Sequence, residues 1–180
     1  PRQERPLRPY LLFAMLAGAT LPATAADADM AYIDAQIAAH PGSSGVYVLD
    51  KGEEALLARA WLADHARTSI EVQYFIWSTD NIGILASEAL LRAADRGVRV
   101  RLLLDDNNTG GLDPFIALLE QHPSIEVRLF NPFAWRNWRL MNFAVDFSRL
   151  NRRMHNKAWV ADNQAAILGG RNIGNEYFEA

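Results

Sequence analysis

The apolar positions change period several times along the chain, and each change marks an element. Gly45 to Leu49 alternates over a short run and predicts a strand. From Gly52 to Arg67 the apolar residues fall at Leu56, Leu57, Ala60, Trp61 and Ala63, the stripe of a helix. Ser69 to Trp77 is rich in β-branched and aromatic residues, which predicts a strand. Thr79 or Asp80 is placed to cap a helix running to Arg96, Gly97 to end it, and Val98 to Leu104 follows as a buried strand. Leu112 to His122 predicts a further helix that stops before Pro123, and Ile125 to Phe130 the next strand. This β-α-β-α-β alternation predicts an α/β fold, with a largely parallel sheet covered by helices on both faces.

The rhythm breaks at Asn131. From there to Met154 the pattern predicts a long irregular stretch, and such loops usually carry function or move. Between Arg128 and Lys157 seven basic residues stand against one acidic residue, Asp146, in a chain whose net charge is −3. Phe130, Phe133, Trp135, Trp138, Phe143 and Phe147 lie among those charges. Two readings stay open: an approach surface for anionic lipid, or a solvated loop whose rings pack into the core. Single-stranded nucleic acid would suit the same composition.

Composition narrows the rest. At 180 residues, half of them hydrophobic and 22% charged, the chain fits one globular domain. The absence of cysteine excludes disulfides, thiolate metal sites and a cysteine nucleophile. No excess of positive charge marks a general nucleic-acid binder, so any anion site must be local. At the N-terminus Arg2, Arg5 and Arg8 precede an apolar run from Tyr10 to Leu21, and Ala23-Thr24-Ala25 offers small residues for a peptidase. Residues 1–25 therefore read as a secretory signal or an N-terminal membrane anchor. As a helix the apolar run reaches only about 18 Å, short of a hydrocarbon core of about 30 Å, which favours the cleaved signal. The folded part, residues 26–180, is then exported, to the periplasm or the outer face of the cytoplasmic membrane. The uncapped ending at Ala180 leads to the expectation that it is a fragment of a longer chain.

The chemistry concentrates between Met154 and Asn172. Read as a hairpin with a two-residue turn at Asp162-Asn163, this segment pairs Ala161 with Gln164, Lys157 with Leu168 and His155 with Gly170. His155 and Lys157 share a face, Gly170 leaves a space beside the imidazole, and Asn172 lies just beyond. Such a hole suits a phosphodiester: lysine and the carboxamide hold its oxygens, and a neutral imidazole attacks phosphorus. The site carries its own positive charge and requires no metal or cofactor. By the same parity Asp162 faces away, as a turn or structural residue. Asp105-Asp106-Asn107 follows a strand's carboxyl end, and reads either as a substrate or cation contact or, with better support, as a turn with a helix cap. His40, His65 and His122 lack ligand spacing.

His155-x-Lys157, Asp162 and Gly169-Gly170-x-Asn172 resemble the HKD signature of the phospholipase D superfamily. At roughly one in twenty per position, six matches rarely coincide in so short a chain. Gln73-Tyr74-Phe75-Ile76-Trp77, the run Arg96 to Asp106 and Gly169 to Gly174 look most like the bacterial cardiolipin synthase C-type branch. The resemblance implies a phospholipase D-like αβα sandwich with a mixed sheet. It also implies a phosphatidyl transferase or phosphodiesterase working through a phosphohistidine, on a phospholipid at a membrane surface. Carried over, His155 is the nucleophile, Lys157 and Asn172 the phosphate clamp, Gly169 and Gly170 the room for it, and Asp162 a member of the signature with less weight.

The family's reaction needs a second imidazole. It is expected from a second half-domain, in the remainder of the chain or in a homodimer partner. A carboxylate to orient His155 is expected beyond Ala180, with Glu176 as the nearby substitute. A nuclease of the same chemistry and a silent membrane-binding half-domain are the alternatives, with nucleic acid the less expected partner.

Overall fold

The protein's computed structural model describes residues 25–136 and 138–179. The expected signal segment lies outside the described residues, apart from Ala25, which starts a helix.

Five strands form one mixed sheet. β1 (Ser69–Tyr74), β2 (Arg99–Asp105) and β3 (Ile125–Phe130) are parallel, and β4 (Lys157–Ala161) and β5 (Ala165–Leu168) form an antiparallel hairpin whose β4 edge pairs with β1. The spatial order is β3-β2-β1-β4-β5. Helices α1 (Ala25–Ala39) and α2 (Gly52–His65) precede β1, α3 (Asn81–Asp95) and α4 (Asp113–Leu119) connect the parallel strands, and α5 (Arg139–Leu150) precedes β4. This is the α/β sandwich that the alternation predicts. The short parallel connections need helices, because a parallel return must cross the length of the sheet.

Period-two burial explains why these strands hold. Ile70, Val72 and Tyr74 line up in register with Val100, Leu102 and Leu104 on one side, and with Ala161, Trp159 and Lys157 on the other. All of the apolar members of these rows are 2% exposed or less, so each strand commits one face to a single core. Leu62 and Ala63 of α2, Ile82, Ala86 and Leu90 of α3, and Ile116 and Leu119 of α4 complete it. Each large side chain so buried contributes about 1.5–3 kcal/mol. The other parity carries polar pairs: Arg101 grips Glu71 across β1 and β2 at 2.6–2.8 Å. Asp80 caps α3 as expected, its Oδ1 accepting from Gly83 N at 3.1 Å.

Three local expectations fail. Gly45 to Leu49 is not a strand; Val46, Tyr47 and Val48 are 75–89% exposed, and alternation without a neighbouring ladder makes no sheet. The stretch from Asn131 to Met154 is not wholly irregular, since α5 occupies its second half. The hairpin is also out of the expected register by one. Asp162 and Asn163 do take positive φ (52° and 57°), and Gln164 N donates back to Ala161 O at 3.0 Å, but the pair opposite Ala161 is Ala165. Gln164 is an extra residue of the bulge kind. The ladder ends at Ala158 and Leu168, so His155 and Gly170 are not a paired couple, and Leu168 projects away from Lys157.

Candidate active site

Beyond β1 the chain continues through Phe75, Ile76 and Trp77, and two distant segments dock on it. Phe75 N donates to Asn156 O at 3.1 Å, Ile173 N to Ile76 O at 3.2 Å and Ser78 N to Ile173 O at 2.9 Å. Phe75 and Ile76 are where the candidate residues meet. His155 is exposed, and its imidazole lies 4.8 Å from the Phe75 ring, centroid to centroid, with 56° between the planes. No hydrogen bond engages that imidazole among the described residues. Lys157 is 7% exposed; its Nζ donates to His155 O at 3.0 Å and lies 5.4 Å from the Phe75 ring centre. Burial pushes its ammonium below the ordinary lysine value. A largely buried cation with donors to spare suits an anion.

Asn172 is 4% exposed, and its Oδ1 accepts from Ile76 N at 3.2 Å. Burial pushes the Tyr177 phenol up, although Asn172 lies close enough to favour its ionised form. The Asn172 amide nitrogen can donate to a ligand. The loop behind it is pinned to α3: Asn175 N donates to Asp80 Oδ2 at 2.8 Å, and Ile82 N to Asn175 Oδ1 at 3.1 Å. A Cβ on Gly174 would stand 2.7 Å from Ser78 Oγ, so a side chain there would push the Ser78 hydroxyl aside.

Gly169 and Gly170 differ from Gly174. A Cβ built on either meets nothing within 4 Å, and neither has positive φ. The fold itself therefore does not require glycine there, whereas a substrate occupying the open space would. Gly170→Ala should melt within about 0.5 kcal/mol of wild type. Its Michaelis constant should nevertheless rise, which steady-state kinetics beside a thermal melt checks.

Asp162 sits at the far end of the hairpin from His155. Its carboxylate accepts from Arg67 N, Thr68 N and Thr68 Oγ1 at 2.8 Å and from Ser69 N at 2.9 Å. Burial pushes this carboxyl up, but the four hydrogen bonds outweigh it and leave the group below its ordinary value. A carboxyl depressed in the folded state stabilises above its unfolded value, and that stability is lost as pH falls through the folded one. Asp162→Ala should cost about 2 kcal/mol near neutral pH and less in acid, read from urea melts across pH. Glu176, the nearby substitute for a His155 partner, is exposed and interacts with Tyr177.

The basic stretch is largely spent on carboxylates of the fold. Asp106, fully buried, accepts from Phe133 N at 2.7 Å and pairs with Arg136, while Arg139 stands 3.6 Å away. Arg136 also reaches Asp113 at 2.7 Å, Arg149 pairs with Asp146 at 2.5 Å and Arg128 with Glu126 at 2.6 Å. Asp105, also fully buried, accepts from Arg153 Nη1 at 3.1 Å, Met154 N at 2.7 Å and Asn107 N at 2.8 Å. The cap expected of this acidic pair is present in the bond to Asn107. Its bonds to Arg153 and Met154, which fix the chain just before His155, had no local signal in the sequence, because their partners lie 48 and 49 residues on. Among the described residues, the cations of the stretch without a carboxylate partner are Arg152 and Lys157, both within three positions of His155.

The family model described as "Cardiolipin synthase, PLD-like domain" matches residues 62–180, which include β1 to β5 and every candidate residue above. The chain belongs to this phospholipase D-like family. Among curated relatives, Cardiolipin synthase C of Escherichia coli is 56% identical over 141 residues, covering 78% of this chain and 30% of its own length. A Helicobacter pylori protein without an assigned function is 43% identical over 142 residues, covering 78% of this chain and 28% of its own. The phospholipase D-like chain thus spans just under a third of the length of these relatives. Among solved structures, NucT from Helicobacter pylori superposes with a TM-score of 0.54 at 20% identity, over 73% of this chain and 76% of that one, a likeness of fold.

Proposed function

We propose that this chain supplies one half of the active site of a phosphatidyl transferase of the cardiolipin synthase kind. The observation that carries the reading is charge: where the neighbouring basic residues are neutralised by carboxylates, the cations left over flank an exposed imidazole that has no hydrogen-bond partner among the described residues. The 56% identity to Cardiolipin synthase C supports a phospholipid as the diester.

In this mechanism the free ring nitrogen of His155 attacks phosphorus, and a nitrogen–phosphorus bond forms as the bond to the leaving alcohol breaks. Lys157 and the amide of Asn172 bind the non-bridging oxygens, whose charge grows in the transition state. The departing alkoxide takes its proton from a second imidazole, supplied by a second copy of the motif in the same protein or in a partner copy. An incoming lipid alcohol gives its proton back to that imidazole and takes the phosphatidyl group from His155. Water in place of the alcohol gives hydrolysis. Asp162 acts as a clamp on the entry to β1, and Gly169 and Gly170 leave room for the diester.

Incubating the full-length gene product with phosphatidylglycerol and phosphatidylethanolamine, and separately with plasmid DNA, tests the substrate class. New cardiolipin with intact plasmid is expected. Cut plasmid without lipid turnover would support a nuclease instead.

A further inference from the structure

Helix α5 buries Leu150 and packs Phe143 on Phe133, yet it also turns large apolar residues outward. Its inward positions are polar or mixed: Asn142, 2% exposed, donates to Trp135 O and Trp138 O at 2.8 and 3.0 Å and accepts from Trp135 N at 3.0 Å. Its outward positions are apolar. Leu140, Met141, Val145 and Phe147 are 54–86% exposed, and Trp135 and Trp138, just before the helix, are 52% and 70% exposed. A helix facing water shows the opposite order. The arm is also held firmly, since Asp106 binds Phe133 N and pairs with Arg136, and Arg139 and Arg153 each stand 4.8 Å over the buried Phe133 ring. Its rings are therefore presented to solvent by a rigid support.

We propose that this face inserts into the headgroup layer of an anionic phospholipid bilayer and so delivers the lipid diester to His155; the delivery, though not the binding, rests on the function proposed above. Three features select a bilayer. Tryptophan beside aliphatic residues is the composition that settles at a membrane interface. The helix breaks at Asp146 (φ −146°, ψ 45°), so its first part, residues 139–145, reaches only about 10 Å, enough to lie in the interface and too short to cross it. The cations without carboxylate partners, Arg152 and Lys157, stand where the arm meets the candidate site, with Arg152 exposed, so positive charge faces the headgroups there.

The test uses the full-length gene product, vesicles of phosphatidylglycerol with phosphatidylethanolamine, and vesicles of phosphatidylcholine alone. Trp138→Ser, Leu140→Ser and Val145→Ser combined should weaken binding to the anionic vesicles at least about tenfold. Brominated acyl chains should quench wild-type tryptophan fluorescence, and Trp135→Phe with Trp138→Phe should lose most of that quenching, because Trp77 and Trp159 are buried at 2% and 0% exposure and only Trp61, on α2 away from this face, is left partly exposed. On a short-chain, water-soluble phosphatidyl substrate the triple variant should turn over like wild type, while His155→Ala should bind vesicles normally and turn over neither substrate. Unchanged vesicle binding in the triple variant overturns the proposal. So does a triple variant that loses stability or assembly along with binding, since a protein surface would then cover the face. Normal vesicle binding with a catalytically competent His155→Ala would instead refute the proposed function and leave the docking face standing.

Discussion

His155→Ala should lower phosphatidyl transfer by about 10⁴-fold or more, because the attacking atom itself is removed. Its fold should hardly notice. The ring is exposed and makes no hydrogen bond among the described residues, with Phe75 its one ring contact, so the melt should shift by no more than about 0.5 kcal/mol. That combination separates a reacting group from a structural one, since a histidine serving the core would cost stability first. The measurement is cardiolipin formation and a thermal melt on the same preparation. New cardiolipin at the wild-type rate from the variant would remove His155 from the mechanism.

Asp105→Ala is expected to do the reverse, costing stability heavily and activity as a consequence. The carboxylate is fully buried, and truncating it takes away the carboxylate partner of the Arg153 guanidinium, which keeps only its bonds to the Leu150 and Asn131 carbonyls, and leaves the N–H groups of Met154 and Asn107 without their acceptor. Breaking a buried pair from one side costs about 3–5 kcal/mol, a large part of the stability of a domain this size. Asp105→Asn keeps one oxygen acceptor and should recover part of the loss. Because Asp105 fixes Met154, the residue before His155, a folded Asp105→Asn should show a reduced kcat with little change in KM: the substrate still meets Lys157, but the imidazole is less well aimed. Asp105 is in this sense a positioning residue. Urea melts with steady-state kinetics on the two variants check both halves, and an Asp105→Ala protein as stable as wild type would show that the buried cluster carries little.

The contrast between these two residues reflects what a sequence makes legible. β1 to β3 and α2 to α4 stand within a few residues of where the pattern puts them, because their apolar positions point into one shared core and so repeat with the element's own period. α5 repeats too, but with its apolar residues outward, and among arginines and tryptophans that order reads as irregular chain. Val46 and Val48 alternate without a partner strand, which no local pattern reveals. The hairpin shows the limit of register arguments: Asp162 and Asn163 adopt the expected positive φ, yet Gln164 adds one residue and shifts every pair. His155 and Lys157 were legible as a pair two apart beside a pair of glycines. Phe75, whose ring both of them touch, and the hold of Asp105 on Met154 were not, since those contacts join residues brought together only by the sheet.

The proposed transfer turns on a covalent bond at one ring nitrogen of His155. Full-length protein incubated with phosphatidylglycerol, quenched in alkali and digested, should yield a peptide containing His155 that carries the phosphatidyl group or the glycerophosphoryl group left when alkali removes its acyl chains, and Lys157→Met should reduce its yield. Steady cardiolipin synthesis with no adduct at that position, or with the adduct on another side chain of this chain, would contradict the mechanism.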